Sequence, residues 1–268
     1  MLKEEPDVMT DPTTAPTDLE ISHYQAPSHL LEGRIIAVTG AGDGIGREAA
    51  LCFARHGATI ILIGRTVSKL ESVYDAIEDA GGAQPGIYPM CLEGASENDY
   101  NEMHDRLNGE FGRLDGLLLN AGVLGDRRPI AHYPLATWDQ VMQINVTSQF
   151  LMTKALLPLL EQAEHASVVF TSSSVGRQGR AFWGAYAVSK FATEGLMQVL
   201  AAEMAETTNI RINAINPGAT RTAMRANAYP AEDPLSLKTP ADLMATYLYL
   251  MGRDSIGMTG RSIDAQPG

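Results

Sequence analysis

Tyr186 and Lys190 stand four residues apart in the run Gly184-Ala185-Tyr186-Ala187-Val188-Ser189-Lys190, and Ser173 lies thirteen residues before Tyr186. A phenol, an ammonium and a hydroxyl at these spacings are the parts of a proton-transfer device. A free tyrosine ionises near pH 10, about three units too high for acid–base work at neutral pH. A cation within a few ångströms favours the phenolate and lowers that value. Residues i and i+4 share a helix face, so Lys190 is expected beside Tyr186. Ser173 offers a hydroxyl to hold a carbonyl or alcohol oxygen, and the trio suits proton transfer coupled to redox chemistry at a C–O centre. A Tyr-x-x-x-Lys pair is also common on solvated helix faces, so the surrounding elements decide its meaning.

Those elements alternate. Short apolar, β-branched runs at 34–39, 58–63, 87–92, 117–119, 167–170, 210–215 and 261–265 read as strands. Helical stretches separate them, ending near His56, at 67–80, up to Phe111, at 138–160, from Tyr186 to about Ala205, and at 241–251. Strand–helix alternation with strands apolar on both faces predicts an α/β fold, a parallel sheet covered by helices on each side. The chain has 268 residues, 45% hydrophobic and 19% charged, enough for one well-buried domain over 29–268. Residues 1–28, rich in Pro, Thr and acidic side chains, read as a flexible extension. They lack the basic start and apolar stretch of a signal peptide.

Composition narrows the function. A net charge of −12 repels phosphate backbones and argues against nucleic-acid binding. No apolar run reaches the length of a membrane span. Two cysteines, Cys52 and Cys91, make no disulfide framework, and no Cys/His cluster has zinc spacing, so no metal site is expected and a reducing compartment, the cytoplasm, is favoured.

The first strand runs into Gly40-Ala41-Gly42-Asp43-Gly44-Ile45-Gly46 and then a helix. Glycines there allow a tight turn and close approach of a pyrophosphate, which the helix N-terminus then meets with unpaired N–H groups. This turn, with Asn120-Ala121-Gly122, Asn145, Ser173, Tyr186-x-x-x-Lys190 and Pro217-Gly218 in that order, resembles the short-chain dehydrogenase/reductase family from about Leu31 to Gly268. The blocks at 170–180, 189–195 and 264–268 resemble its bacterial YciK-type branch.

The resemblance implies a three-layer, doubly wound Rossmann fold of about seven parallel strands, and a nicotinamide cofactor. Gly40, Gly42, Gly44, Ile45 and Gly46 would line the pyrophosphate turn, and Asn120, Ala121 and Gly122 the adenosine ribose. Pro217, Gly218 and Thr222 would flank the nicotinamide, with Lys190 also on its ribose beside Tyr186. At the end of strand two, where a carboxylate normally binds the ribose of NAD, stand Gly64 and Arg65. Arg65 suits a 2′-phosphate and favours NADP(H); Asp43 in the glycine turn argues the other way and leaves NAD(H) open, unless it caps the next helix or pairs with Arg65. Cys91 stands where the family commonly has an aspartate.

By the same resemblance Tyr186 is the general acid/base, Lys190 lowers its pKa, Ser173 holds the substrate oxygen, and Asn145 holds a water in the proton relay. Spacing selects Ser173 from its neighbours Ser172 and Ser174, which are left to satisfy local backbone groups. Arg127, Arg128, Arg177, Arg180, Arg221 and Arg225 follow the later strands, and a positive mouth for an anionic carbonyl or 3-oxoacyl-type substrate is one expectation. Ion pairing within the protein or between subunits is the other. Phe182 and Trp183 could wall the pocket, and residues 222–240 could cap it. The function so implied is hydride transfer between a nicotinamide cofactor and a small carbonyl or alcohol compound, in a homodimer or homotetramer. The alternative is a catalytically weak dinucleotide-binding regulatory protein on the same fold, though such proteins usually lack a member of the Asn-Ser-Tyr-Lys set.

Overall fold

Seven short runs of aliphatic and branched residues pair into one sheet: β1 (Ile35–Thr39), β2 (Thr59–Gly64), β3 (Gly86–Pro89), β4 (Gly116–Leu119), β5 (Ser167–Thr171), β6 (Arg211–Asn216) and β7 (Ser262–Asp264). The structure is a computed structural model that describes residues 15–268. The strand order is β3-β2-β1-β4-β5-β6-β7, and every pairing is parallel. Strand side chains alternate between faces. Ile36, Val38, Ile60, Leu62, Leu118, Val169, Ile215 and Ile263 therefore build one core layer, and Ala37, Ile61, Ile63, Leu117, Leu119, Val168, Phe170 and Ile212 the other.

The helices are α1 (Asp18–Ser22), α2 (Gly44–Arg55), α3 (Val67–Asp79), α4 (Glu97–Phe111), α5 (Leu135–Met142), α6 (Ser148–Leu160), α7 (Gly184–Met204), α8 (Ala223–Ala228) and α9 (Met244–Met251). Buried residues of α1, α2, α3 and α9 join the first layer, and those of α4, α6 and α7 the second. Thus the expected doubly wound parallel sheet is present. Its winding reverses between β1 and β4, where a crevice opens beyond the carboxyl ends of the strands.

Two expectations change. The helix read over 138–160 runs from Leu135 to Leu160, but five residues, Gln143–Thr147, form a π-turn between α5 and α6. Residues 15–28, expected to be flexible, are packed on the fold, while residues 1–14 lie outside the described residues. Thr17 and Glu20 form a reciprocal capping box at the start of α1, and Ile21 is buried in the first core layer. The Asp18 carboxylate accepts hydrogen bonds from Arg261 (2.9 Å) and from the backbone N–H of Asp264 on β7 (2.8 Å). Tyr24 stacks edge-on against Tyr249 at 5.2 Å and donates to Asp254 at 2.6 Å. A five-residue helix has no stability alone; these tertiary partners are what fold it.

Candidate active site

The turns after β1, β4, β5 and β6 lie at one edge of the sheet and surround a cleft of about 700 Å³. Thr39, at the end of β1, ties the first two turns together: its hydroxyl donates to the Leu118 carbonyl (3.2 Å) and accepts from the N–H groups of Asn120 and Ala121 (2.9 Å each). Gly40 and Gly44 have φ of +66° and +52°, values that side chains strain to adopt. A Cβ on Gly46 would lie 2.3 Å from the Gly40 carbonyl oxygen, so α2 is seated against the turn as only glycine permits. The result is a cradle of bare backbone under the N-terminus of α2.

Asp43 caps α2, accepting from the Gly44 N–H at 2.8 Å, and its other oxygen takes the Lys69 ammonium. Of the roles open to Asp43, the cap is present, and its ion-pair partner is Lys69, not Arg65. Lys69 holds the Asp43 carboxyl below the usual aspartate range. Arg65 is exposed on the cleft wall and has no ion pair or side-chain hydrogen bond among the described residues. Gly218, with φ of +69°, turns the chain after β6; Gln266 braces this turn by donating to the Pro217 and Ala219 carbonyls at 2.7 and 3.1 Å. Thr222 caps α8 and faces Gly44, whose Cβ would meet its methyl at 3.4 Å.

Ser173, Tyr186 and Lys190 line the same cleft. Tyr186 lies on the first turn of α7 and Lys190 on the second. The Lys190 Nζ donates to the Thr171 carbonyl at 2.6 Å and lies 5.6 Å from the Tyr186 ring centre. Burial pushes the Tyr186 phenol up to about 12, with the Ser173 hydroxyl pulling the other way. Burial also draws Lys190 down to about 8, opposed by the Glu194 carboxylate. Burial thus favours the protonated phenol of Tyr186.

Asn145 is buried in the π-turn. Its Oδ1 accepts from the Val123 N–H at 2.8 Å, and its Nδ2 donates to the Val123 carbonyl (2.9 Å) and to Ser189 (3.0 Å). The amide clamps the strand leaving β4 to α7 and keeps only one lone pair free. Gly122 lies between them; a Cβ there would sit 3.3 Å from the Asn145 Oδ1 and 3.9 Å from the Lys190 Nζ. A glycine cradle at a helix N-terminus and the Tyr186–Lys190–Ser173 group therefore share one cleft at the switch point of a parallel sheet.

Residues 34–233 match the family model of the short chain dehydrogenases. The chain belongs to this family. It is 55% identical over 246 residues to the uncharacterized oxidoreductase YciK of Escherichia coli K12, covering 92% of this chain and 97% of that one. Two crystal structures at 55% identity, each covering 90% of this chain and all of the other, superpose with a TM-score of 0.88. One is a short chain dehydrogenase of Shigella flexneri 2a complexed with NADP, the other one of Escherichia coli CFT073 complexed with NADPH.

For a short-chain dehydrogenase, the mouth of this cleft departs from expectation at its arginines. Of the six, only Arg225 lines the cleft. Its Nε and one terminal nitrogen donate to the two Glu232 carboxylate oxygens at 2.6 Å each, and it lies over the Tyr229 ring. Arg127 stacks between Trp183 (4.9 Å) and Tyr229 (4.6 Å). Arg128 pairs with Asp126, Arg177 turns to Asp264, and Arg221 binds the carbonyls of Pro234 and Leu237. Arg180 alone is exposed and without such a partner among the described residues. Five of the six arginines thus serve as fastenings within the protein, the second of the two expectations.

Trp183 forms part of the wall, 5.8 Å from the Tyr186 ring, whereas Phe182, at φ of +71°, is exposed and outside the cleft. The capping segment 222–240 is not a bare loop, since α8 lies in it and Met224 and Ala228 reach the cleft. Ser172, expected to serve local backbone groups, instead donates across to Glu194 on α7. Lys69, Gln266 and Glu194 were not legible as site residues. Lys69 gave one signal, its place in the first turn of the helix after β2; the other two depend on contacts between distant segments.

Proposed function

We propose that this chain is an NADP(H)-dependent oxidoreductase that interconverts a small carbonyl compound and its alcohol, with Tyr186 as general acid/base. The observation that carries the reading is the placing of Tyr186, Ser173 and Lys190 in the same cleft as the glycine cradle. The residues fit a dinucleotide: backbone N–H groups at the α2 N-terminus suit a pyrophosphate, and Gly40, Gly42 and Gly44 line the open cleft beside it. The residues that would hold it are Gly40, Gly42, Gly44, Ile45 and Gly46, Asn120–Gly122, Pro217, Gly218 and Thr222. Bound NADPH supplies the hydride. Ser173 orients the substrate oxygen, Tyr186 gives it a proton, Lys190 balances the phenolate that this leaves, and Asn145 holds the β4 turn in register with α7 and offers its free lone pair to a relay water. Trp183, Leu124 and Met224 give the substrate an apolar wall.

The preference for NADP(H) over NAD(H) rests on Arg65, exposed at the end of β2 with Lys69 nearby, and is supported by the two relatives crystallised with NADP and NADPH. A charge-assisted pair with a phosphate contributes about 1.5–3 kcal/mol. Arg65→Ala is therefore expected to weaken NADPH binding roughly 10- to 100-fold in a fluorescence titration and to leave NADH binding nearly unchanged. Equal losses for both cofactors would defeat this assignment. A regulatory role without catalysis finds no observation in its favour.

We also assign the chain a self-association surface. Phe150 on α6 and Val188, Phe191 and Val199 on α7 are each more than two-fifths exposed, and the last three fall on one stripe of α7. A second copy of this chain is the proposed occupant, giving a homodimer or homotetramer. Among the described residues no helix is long and apolar enough to cross a membrane. Cys52 and Cys91 are both free thiols, in keeping with the reducing cytoplasm as the proposed location.

A further inference from the structure

Glu194 follows Lys190 by one turn of α7, as Lys190 follows Tyr186, so the three side chains share a helix face. Glu194 is only 6% exposed. One of its oxygens accepts from the hydroxyls of Ser172 and Ser262, the latter at 2.7 Å, with the Arg177 Nε at 3.6 Å. These donors come from separate places. Ser172 adjoins Ser173 after β5, Ser262 opens β7, and Arg177 leaves the serine turn and reaches Asp264 on β7 at 2.8 Å. A carboxylate is costly to bury, and these two hydroxyls and the guanidinium are what hold it there.

Lys190 is 3% exposed, and its hydrogen bond runs to a neutral carbonyl, which does little to retain a buried ammonium. The ionisable groups around it are few. On α7 they are Tyr186 and Glu194. The serine turn, whose Gly176 abuts the Lys190 backbone, brings Arg177 with Asp264 of β7 behind it. The α9 helix, packed on β5, brings Tyr247. Glu194 is the carboxylate on the same helix face as Lys190; Asp264 is bridged to Arg177.

We infer that Glu194 is a positioning residue of the active site: its charge keeps Lys190 protonated, and its hydrogen bonds from Ser172 and Ser262 and its ion pair with Arg177 lock the Ser173 turn to the last strand. Glu194 is also the group that opposes the downward pull of burial on Lys190. The inference rests on the roles proposed for Tyr186 and Lys190, and its test requires no substrate.

The full-length protein, labelled with [ε-¹³C]lysine, is titrated by NMR from about pH 6 to 11, with the Lys190 signal identified by its loss in Lys190→Met. In Glu194→Gln the Lys190 midpoint is expected to fall by about one pH unit, because an opposing charge is gone. In Arg177→Gln it is expected to rise, because a repelling cation is gone. Ser262→Ala removes a donor but no charge and should leave the midpoint in place. Unmoved midpoints in Glu194→Gln and Arg177→Gln overturn the inference, as does an equal fall in Ser262→Ala, which would make packing the cause. Should Glu194→Gln fail to fold, Arg177→Gln decides alone. If the midpoints move as expected while Tyr186→Phe leaves carbonyl reduction intact, the coupling stands and the catalytic reading falls; unmoved midpoints with an inactive Tyr186→Phe give the reverse.

Discussion

Tyr186 and Lys190 occupy the first two turns of α7, and burial drives each toward its neutral form. For Tyr186 that form is a proton donor, which suits delivery of a proton to a carbonyl oxygen that is gaining a hydride. For Lys190 it has a consequence for stability. In the unfolded chain the ammonium persists to its ordinary value of 10.5, and in the fold only to about 8. Between those values the unfolded chain holds more protons, so this group makes the fold more stable as pH rises, and the gain is lost as pH falls through about 8. Lys190→Met, which carries no charge, should therefore melt higher than the parent at pH 7 by a margin that narrows by pH 9.5. A margin that is constant with pH would contradict the burial of a charged lysine. At neighbouring positions the chemistry was legible from residue type and spacing. Ser173, Tyr186 and Lys190 line one cleft and Asn145 is buried behind the turn at Val123, but the direction of the Tyr186 shift was not legible, because spacing reveals a nearby cation and not the depth at which both groups lie.

At the scale of elements, the strands were the most readable part, because runs such as Ile60-Ile61-Leu62-Ile63 are buried on both faces and tolerate little else. What escaped the sequence depends on partners far along the chain. The π-turn at Gln143–Thr147 follows from the Asn145 amide bonding the Val123 backbone. The α8 helix lies in a Pro-containing segment and is fastened by Arg127, which stacks on Tyr229 and donates to the Ala228 carbonyl. The α1 helix is the clearest case. Its capping box is visible in the sequence as Thr17 and Glu20, yet five residues cannot hold a helix without the contacts to Arg261, Asp264 and Tyr249. Asp18 satisfies an N–H on the outermost strand, a position that would otherwise invite pairing with another chain. Asp18→Ala should speed hydrogen exchange across residues 15–24 and in β7, and lower stability by about 1–3 kcal/mol, the cost of stranding a partner of a charged hydrogen bond. NADPH affinity should not change. Unaltered exchange in residues 15–24 would show that Ile21 and Tyr24 alone hold the segment.

For the whole molecule, charge and apolar surface point in separate directions. The net charge of −12 disfavours anionic macromolecules, and five of the six arginines that might have offset it near the cleft are bound internally, while Arg65 is exposed on the cofactor side with no ion pair among the described residues. The apolar stripe of α7 has no covering segment among the described residues. Phe191→Glu should shift the protein to a smaller species in sedimentation at micromolar concentration, with the Tyr186 cleft intact; an unchanged sedimentation coefficient would place the subunit contact elsewhere or nowhere. The central claim, however, concerns one proton. Its most direct test is NADPH oxidation with a panel of small ketones and aldehydes, comparing the parent with Tyr186→Phe after both are shown to bind NADPH equally. General acid catalysis contributes about 10²- to 10⁴-fold, so the parent should turn over at least one member of the panel and Tyr186→Phe should lose at least about 10²-fold in kcat. Equal turnover by the two proteins, or none by the parent despite tight NADPH binding, would contradict the account.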